Sequence, residues 1–143
     1  MGEKLFISIL LSFLIPIPVS FSGPDIDVQS LNKLLKVRKG EVLILDVRTP
    51  FEWKESGVID GALMKNAYDS DLTSYLKNLE KSKEIYIYCH SGSRSKKVSK
   101  LLDELGFKSF NLKGGIVSWQ KNKLPLIEYK QTKLHTIKRV LNK

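Results

Sequence analysis

Two short runs of apolar residues constrain this chain more than anything else in it. VLILDV, residues 42 to 47, and IYIYC, residues 85 to 89, are β-branched and aromatic without alternation. A strand that is apolar on both faces belongs inside a sheet covered on both sides, which is the environment of a parallel sheet. Ser109 to Leu112 reads as a third strand, and Ile26 to Val28 and Ala62 to Lys65 as weaker ones. Helical spacing separates them. Leu31, Leu34 and Leu35 mark one face before the stop at Lys39 and Gly40, and Leu72, Tyr75, Leu76 and Leu79 mark a second. A third helix starts near Ser93 to Ser95, runs through Val98, Leu101, Leu102 and Leu105, and ends at Gly106. Strands alternating with helices predict an α/β domain with a small parallel sheet and helices on both faces.

With 143 residues the chain has room for one such core and not for two large ones. Before it, residues 5 to 15, LFISILLSFLI, are uncharged, preceded by Lys4 and followed by Pro16 and Pro18. That layout predicts a signal peptide over residues 1 to 22, cut before Gly23 after the small residues Ser20 and Ser22, with an uncleaved N-terminal anchor as the alternative. The run is shorter than the roughly 20 residues a spanning helix needs. The expected location is therefore periplasmic or otherwise exported, or membrane-anchored if the leader stays.

The domain is expected over residues 23 to 128 and a basic tail over 129 to 143. Lys and Arg total 24 against 15 Asp and Glu, but the tail contributes five positive charges and no negative ones. The domain is thus only mildly basic, and no nucleic-acid partner is expected. In the tail, Leu134, Ile137 and Leu141 recur at helical spacing among Lys and Arg, a weak amphipathic pattern compatible with membrane-surface contact. His135 has no partner at metal spacing. The chain is expected to be a monomer.

One cysteine, Cys89, excludes an internal disulfide and a four-cysteine zinc site. It ends the second apolar strand and precedes a helix, the position where parallel sheets bind ligands. The residues that follow, His90, Ser91, Gly92, Ser93, Arg94 and Ser95, are wrong for a core. Backbone N–H groups of such a turn, backed by the first turn of a helix, converge on an anion. Gly92 lets the backbone curl. Arg94 adds a cation with a planar fork. The same field favours the thiolate, the form of Cys89 that attacks sulfur or phosphorus.

These residues, with two further stretches, resemble a single rhodanese domain over residues 25 to 126, close in layout to small exported rhodaneses of bacteria. CHSGSRS is similar to the family's C-x-x-G-x-R-S loop, DVRTPFEW at Asp46 to Trp53 to its D-V-R-x-P-x-E stretch closed by Tyr or Trp, and GFKSFNLKGGIVSW at Gly106 to Trp119 to its closing segment. LPL, residues 124 to 126, follows the pattern as well. GVIDGA, residues 57 to 62, departs from the usual G-H-I-P-G-A at Val58 and Asp60.

The resemblance implies sulfur transfer. Cys89 would take the outer sulfur of thiosulfate or a persulfide donor, hold it as a persulfide, and pass it to a thiol or cyanide acceptor. Residues 90 to 95 would form the cradle, with Arg94 orienting the anionic donor, and no cofactor or metal is needed. Related phosphatases place five residues between Cys and Arg, whereas four intervene here, so a cysteine phosphatase or arsenate reductase is the less favoured alternative. A sulfur-carrier module with little turnover is another. Asp46 and Arg48 are expected beside the loop as an ion pair or turn bond, or else in contact with substrate. Trp53 and Trp119 read as packing residues, Gly114 and Gly115 as a tight turn, and Lys96, Lys97 and Lys100 as a solvated helix face. His90 is read either as a bias on the thiolate or as a solvent-facing residue at the pocket mouth.

Overall fold

The computed structural model describes residues 23 to 130. The leader and most of the tail, His135 included, lie outside the described residues. Five strands form one parallel sheet in the order β1-β5-β4-β2-β3, with β1 at Asp25–Ile26, β2 at Leu43–Asp46, β3 at Leu63–Met64, β4 at Ile85–Tyr88 and β5 at Ser109–Leu112. β4 is central, with all four residues buried.

Alternation along the inner strands divides the core in two. Ile44, Tyr86, Tyr88 and Leu112 pack on one face with Val28 and Leu31 of α1 (Val28–Val37) and with Ile116 and Trp119 of α5 (Gly115–Lys121). Leu45, Ile85, Ile87 and Cys89 pack on the other with Leu76 of α3 (Leu72–Lys77) and with Val98 and Leu102 of α4 (Ser93–Glu104). Both faces of the sheet are therefore covered, which is why β4 is built of Ile and Tyr and β2 is apolar up to its final residue, Asp46. Among the described residues no helix is long and apolar enough to cross a membrane.

The expected elements are present with shifted ends. Val28 belongs to α1 and not to β1, because the Asp27 carboxylate accepts from the backbone N–H groups of Gln29 and Ser30 at 3.0 Å and starts the helix there. Two helices come in addition to those expected. α2 (Pro50–Ser56) is short but strongly capped: Thr49 and Glu52 form a reciprocal capping box with Pro50 at the first position. α5 starts on two glycines, and its early N–H groups are satisfied from outside the helix, by the carbonyls of Cys89 and His90 at 2.9 and 3.2 Å. Tyr129, placed in the tail by sequence, stacks on Trp53 with ring centroids 5.9 Å apart.

Candidate active site

Asp46 and Tyr88 are register partners at the carboxyl ends of β2 and β4, so both chains leave the sheet at one level. The segment after β4 runs directly into α4, and this turn holds the thiol. Gly92 caps α4 with φ 96°, a left-handed conformation that suits glycine. Its N–H donates to Cys89 Sγ at 3.1 Å, and the Ser95 hydroxyl reaches the same sulfur at 3.4 Å. Cys89 is fully buried, and burial pushes its thiol pKa up. Hydrogen bonds from the Ser95 hydroxyl and from the backbone of Ser95, Gly92 and Ser91 outweigh that and hold it below the ordinary thiol value.

The carbonyls of the loop point elsewhere because α5 takes them: the Cys89 and His90 oxygens accept from the N–H groups of Ile116 and Val117. Gly115 makes this possible. Its φ is +58°, and a Cβ there would lie 2.4 Å from the His90 oxygen and 2.5 Å from the Cys89 oxygen. The glycine pair is a turn, as its sequence indicated, and it also fixes the floor of the loop.

Arg94 emerges from the first turn of α4 toward α2. Its Nη1 and Nη2 donate to Glu52 Oε2 and Oε1 at 2.8 and 2.6 Å, a bidentate pair on partly buried side chains. The Arg94 guanidinium, ahead of the Thr49 contacts, holds the Glu52 carboxyl down at about 2. Tyr68 flanks the Arg94 guanidinium, which sits 5.9 Å from its ring centroid. The cation that sequence assigned to the donor is therefore already paired in the resting site. His90 is exposed with Nδ1 4.0 Å from Glu52 Oε1, and Ser91 and Ser93 also face solvent.

Asp46 and Arg48 form a fully buried ion pair, with Nη2 of Arg48 2.6 Å from Oδ2 of Asp46. Arg48 spends its other donors on the Ser56 hydroxyl at 2.6 Å and the Gly57 carbonyl at 2.7 Å, and its guanidinium lies over the Tyr88 ring at 5.5 Å. It ties α2 to the sheet, and α2 in turn presents Glu52 to Arg94. Trp53 and Trp119 are buried packing residues.

Glu52, Asn111 and Gly115 complete the site without having been assigned to it from sequence. Glu52 carried a local signal in the T-P-x-E capping box. Asn111 carried none: it accepts from the Ser95 hydroxyl at 2.6 Å although 16 residues away.

Comparison with known proteins agrees with this architecture. A sulfurtransferase of Allochromatium vinosum is 33% identical over 104 residues, covering 72% of this chain and 94% of that protein. A tRNA uridine(34) hydroxylase of Pelagibacter ubique is 33% identical over 114 residues, and the aligned region spans 76% of this chain but only 37% of that longer relative. The crystal structure of a rhodanese-related protein from Thermoplasma volcanium superposes with a TM-score of 0.65 at 30% identity, over 73% of this chain and 97% of the other. Residues 27–122 match the Rhodanese-like domain. With two thirds of its length in that match and its cysteine at the head of the loop, the chain belongs to the rhodanese-like family.

Proposed function

We propose that this protein is a sulfurtransferase that moves a sulfane sulfur through a persulfide on Cys89. The thiolate attacks the outer sulfur of thiosulfate. An S–S bond forms at Cys89, the original S–S bond breaks, and sulfite leaves with its electron pair. Cyanide or a thiolate acceptor then attacks the outer sulfur and returns Cys89 as thiolate. The observation that carries this reading is the ring of donors on one buried sulfur, with the Gly92 N–H at 3.1 Å. Such donors stabilise an anion at Cys89 both before attack and after the outer sulfur is lost. The four-residue spacing to Arg94 makes the cradle small, which suits sulfur better than a tetrahedral phosphate.

Mass measurement of the intact chain tests it. After thiosulfate the mass is expected to rise by one sulfur, and after cyanide to return, with neither change in Cys89→Ser. A phosphoenzyme formed from an aryl phosphate, with no sulfur uptake, would overturn the proposal in favour of a phosphatase.

A carrier role is the second reading. It is favoured by the Glu52 pairing of Arg94, which leaves little free cation for a small anionic donor. A carrier loads from a persulfidated protein and turns thiosulfate over slowly. We also propose export, with residues 1 to 22 removed, on the strength of the leader pattern; N-terminal sequencing of protein recovered outside the cytoplasm should begin at Gly23.

A further inference from the structure

The Ser95 hydroxyl stands between two acceptors, Cys89 Sγ at 3.4 Å and Asn111 Oδ1 at 2.6 Å. A hydroxyl has one proton to donate, so the sulfur and the amide oxygen compete for it. Asn111 is held in the orientation that competes. It lies in β5, buried, and its Nδ2 donates to Asp25 Oδ1 of β1 at 2.8 Å, which turns its oxygen toward Ser95. Asp25 is exposed, with Lys96 Nζ 3.8 Å from its other oxygen.

We infer that Asn111 is a positioning residue that sets the acidity of Cys89 by drawing on the Ser95 hydrogen bond, with Asp25 fixing the amide that does so. When the negative charge sits on Sγ, the hydroxyl turns to the sulfur. With a neutral thiol, or with the charge moved to the outer sulfur of a persulfide, it turns back to Asn111. The proton stays on Ser95 throughout, and only the direction of its hydrogen bond changes. The inference deepens the sulfurtransferase reading and rests on it for the importance of the Sγ anion.

Other charges act on the same sulfur and must be held constant. Arg94 with its partner Glu52, exposed His90, the Lys96 and Asp25 pair, and the buried Asp46 and Arg48 pair all belong to elements around the loop. The Asn111 and Ser95 variants therefore leave these groups in place, and Asp25→Ala is compared with Asp25→Asn, which loses the same charge but keeps the acceptor.

Thiolate absorbance in the ultraviolet is followed against pH in the full chain and referenced to Cys89→Ser, since no other thiol exists. Asn111→Leu removes the competing acceptor at similar volume, and the midpoint should fall by about one pH unit. Ser95→Ala should raise it. In a Ser95→Ala background Asn111→Leu should have no further effect, because the two residues act through one hydrogen bond. Asp25→Ala should move the midpoint in the direction of Asn111→Leu, whereas Asp25→Asn keeps an acceptor for Nδ2 and should restore it. An unchanged midpoint in Asn111→Leu, or an equal fall with and without Ser95, overturns the inference. Should Asn111→Leu not fold, Asp25→Ala at the exposed sheet edge decides the same question in the same two backgrounds. The absorbance needs no sulfur donor. Shifts without sulfur uptake would thus sink the proposed function and leave the inference standing, and uptake without shifts would do the reverse.

Discussion

Arg94 reaches back across 42 residues to grip both carboxylate oxygens of Glu52, at 2.6 and 2.8 Å, with the same guanidinium that projects from the thiol loop. The pair links α2 to α4 and orients the Arg94 fork while cancelling part of its charge. Glu52 also accepts from the Thr49 N–H at 3.0 Å, so one carboxylate serves a helix cap and the site together.

Glu52→Gln should weaken the fold and strengthen the field. The Glu52 carboxyl is lowered from 4.5 to about 2, chiefly by the Arg94 hydrogen bond, so its contribution to stability is complete above about 4.5 and disappears as pH falls toward 2. In urea titrations the variant should unfold earlier than the parent at neutral pH, and the gap should close on acidification. With the negative charge gone, KM for thiosulfate should fall at low ionic strength, and that gain should shrink as salt is added.

Arg94→Ala should slow persulfide formation from thiosulfate by about 10²-fold, the size of losing one electrostatic donor at a reacting centre. It also leaves the Glu52 carboxylate unpaired beside the loop. Arg94→Lys restores charge without the fork and should recover only a fraction of the rate in single-turnover measurements.

Gly115→Ala should cost more activity than its distance in sequence from Cys89 implies. The added Cβ meets the carbonyl oxygens of Cys89 and His90, so the loop must shift. A displacement near 1 Å at such a site corresponds to roughly 10²-fold in rate. Stability should fall as well, by about 1–3 kcal/mol from the backbone conformation alone. Thermal unfolding and sulfur-loading rates measure the two separately.

Arg48→Met should be strongly destabilising, by about 3–5 kcal/mol, because it abandons the Asp46 carboxylate where no water reaches it. Replacing Asp46 by Leu as well should recover much of that loss in denaturant titrations. A double variant that folds and still loads sulfur would place the pair in the scaffold; one that folds but has lost loading would put it in the chemistry.

Residues close in sequence made much of this protein legible. The apolar runs of β2 and β4, broken only by Asp46 at the end of β2, required a sheet covered on both faces, and α1 and α5 on one side with α3 and α4 on the other supply the cover. CHSGSRS places a thiol, a glycine and a run of N–H groups within one turn, so its convergence on Cys89 follows from local geometry. α2 was also locally written, in Thr49, Pro50 and Glu52, but only seven residues long and without a repeating apolar face. Periodicity does not register a helix of that length.

Other features had no local form. Asn111 is a polar residue in a strand and Gly115 a glycine before a helix until β5 lies beside β4 and places both against the loop. Glu52 reads as a cap until α4 docks against α2. By itself the sequence determined where the single thiol lies and which backbone surrounds it, since seven consecutive residues hold both. Only the tertiary structure decided how charged that site is and what competes for its hydrogen bonds, because these depend on side chains that meet through the packing of separate elements.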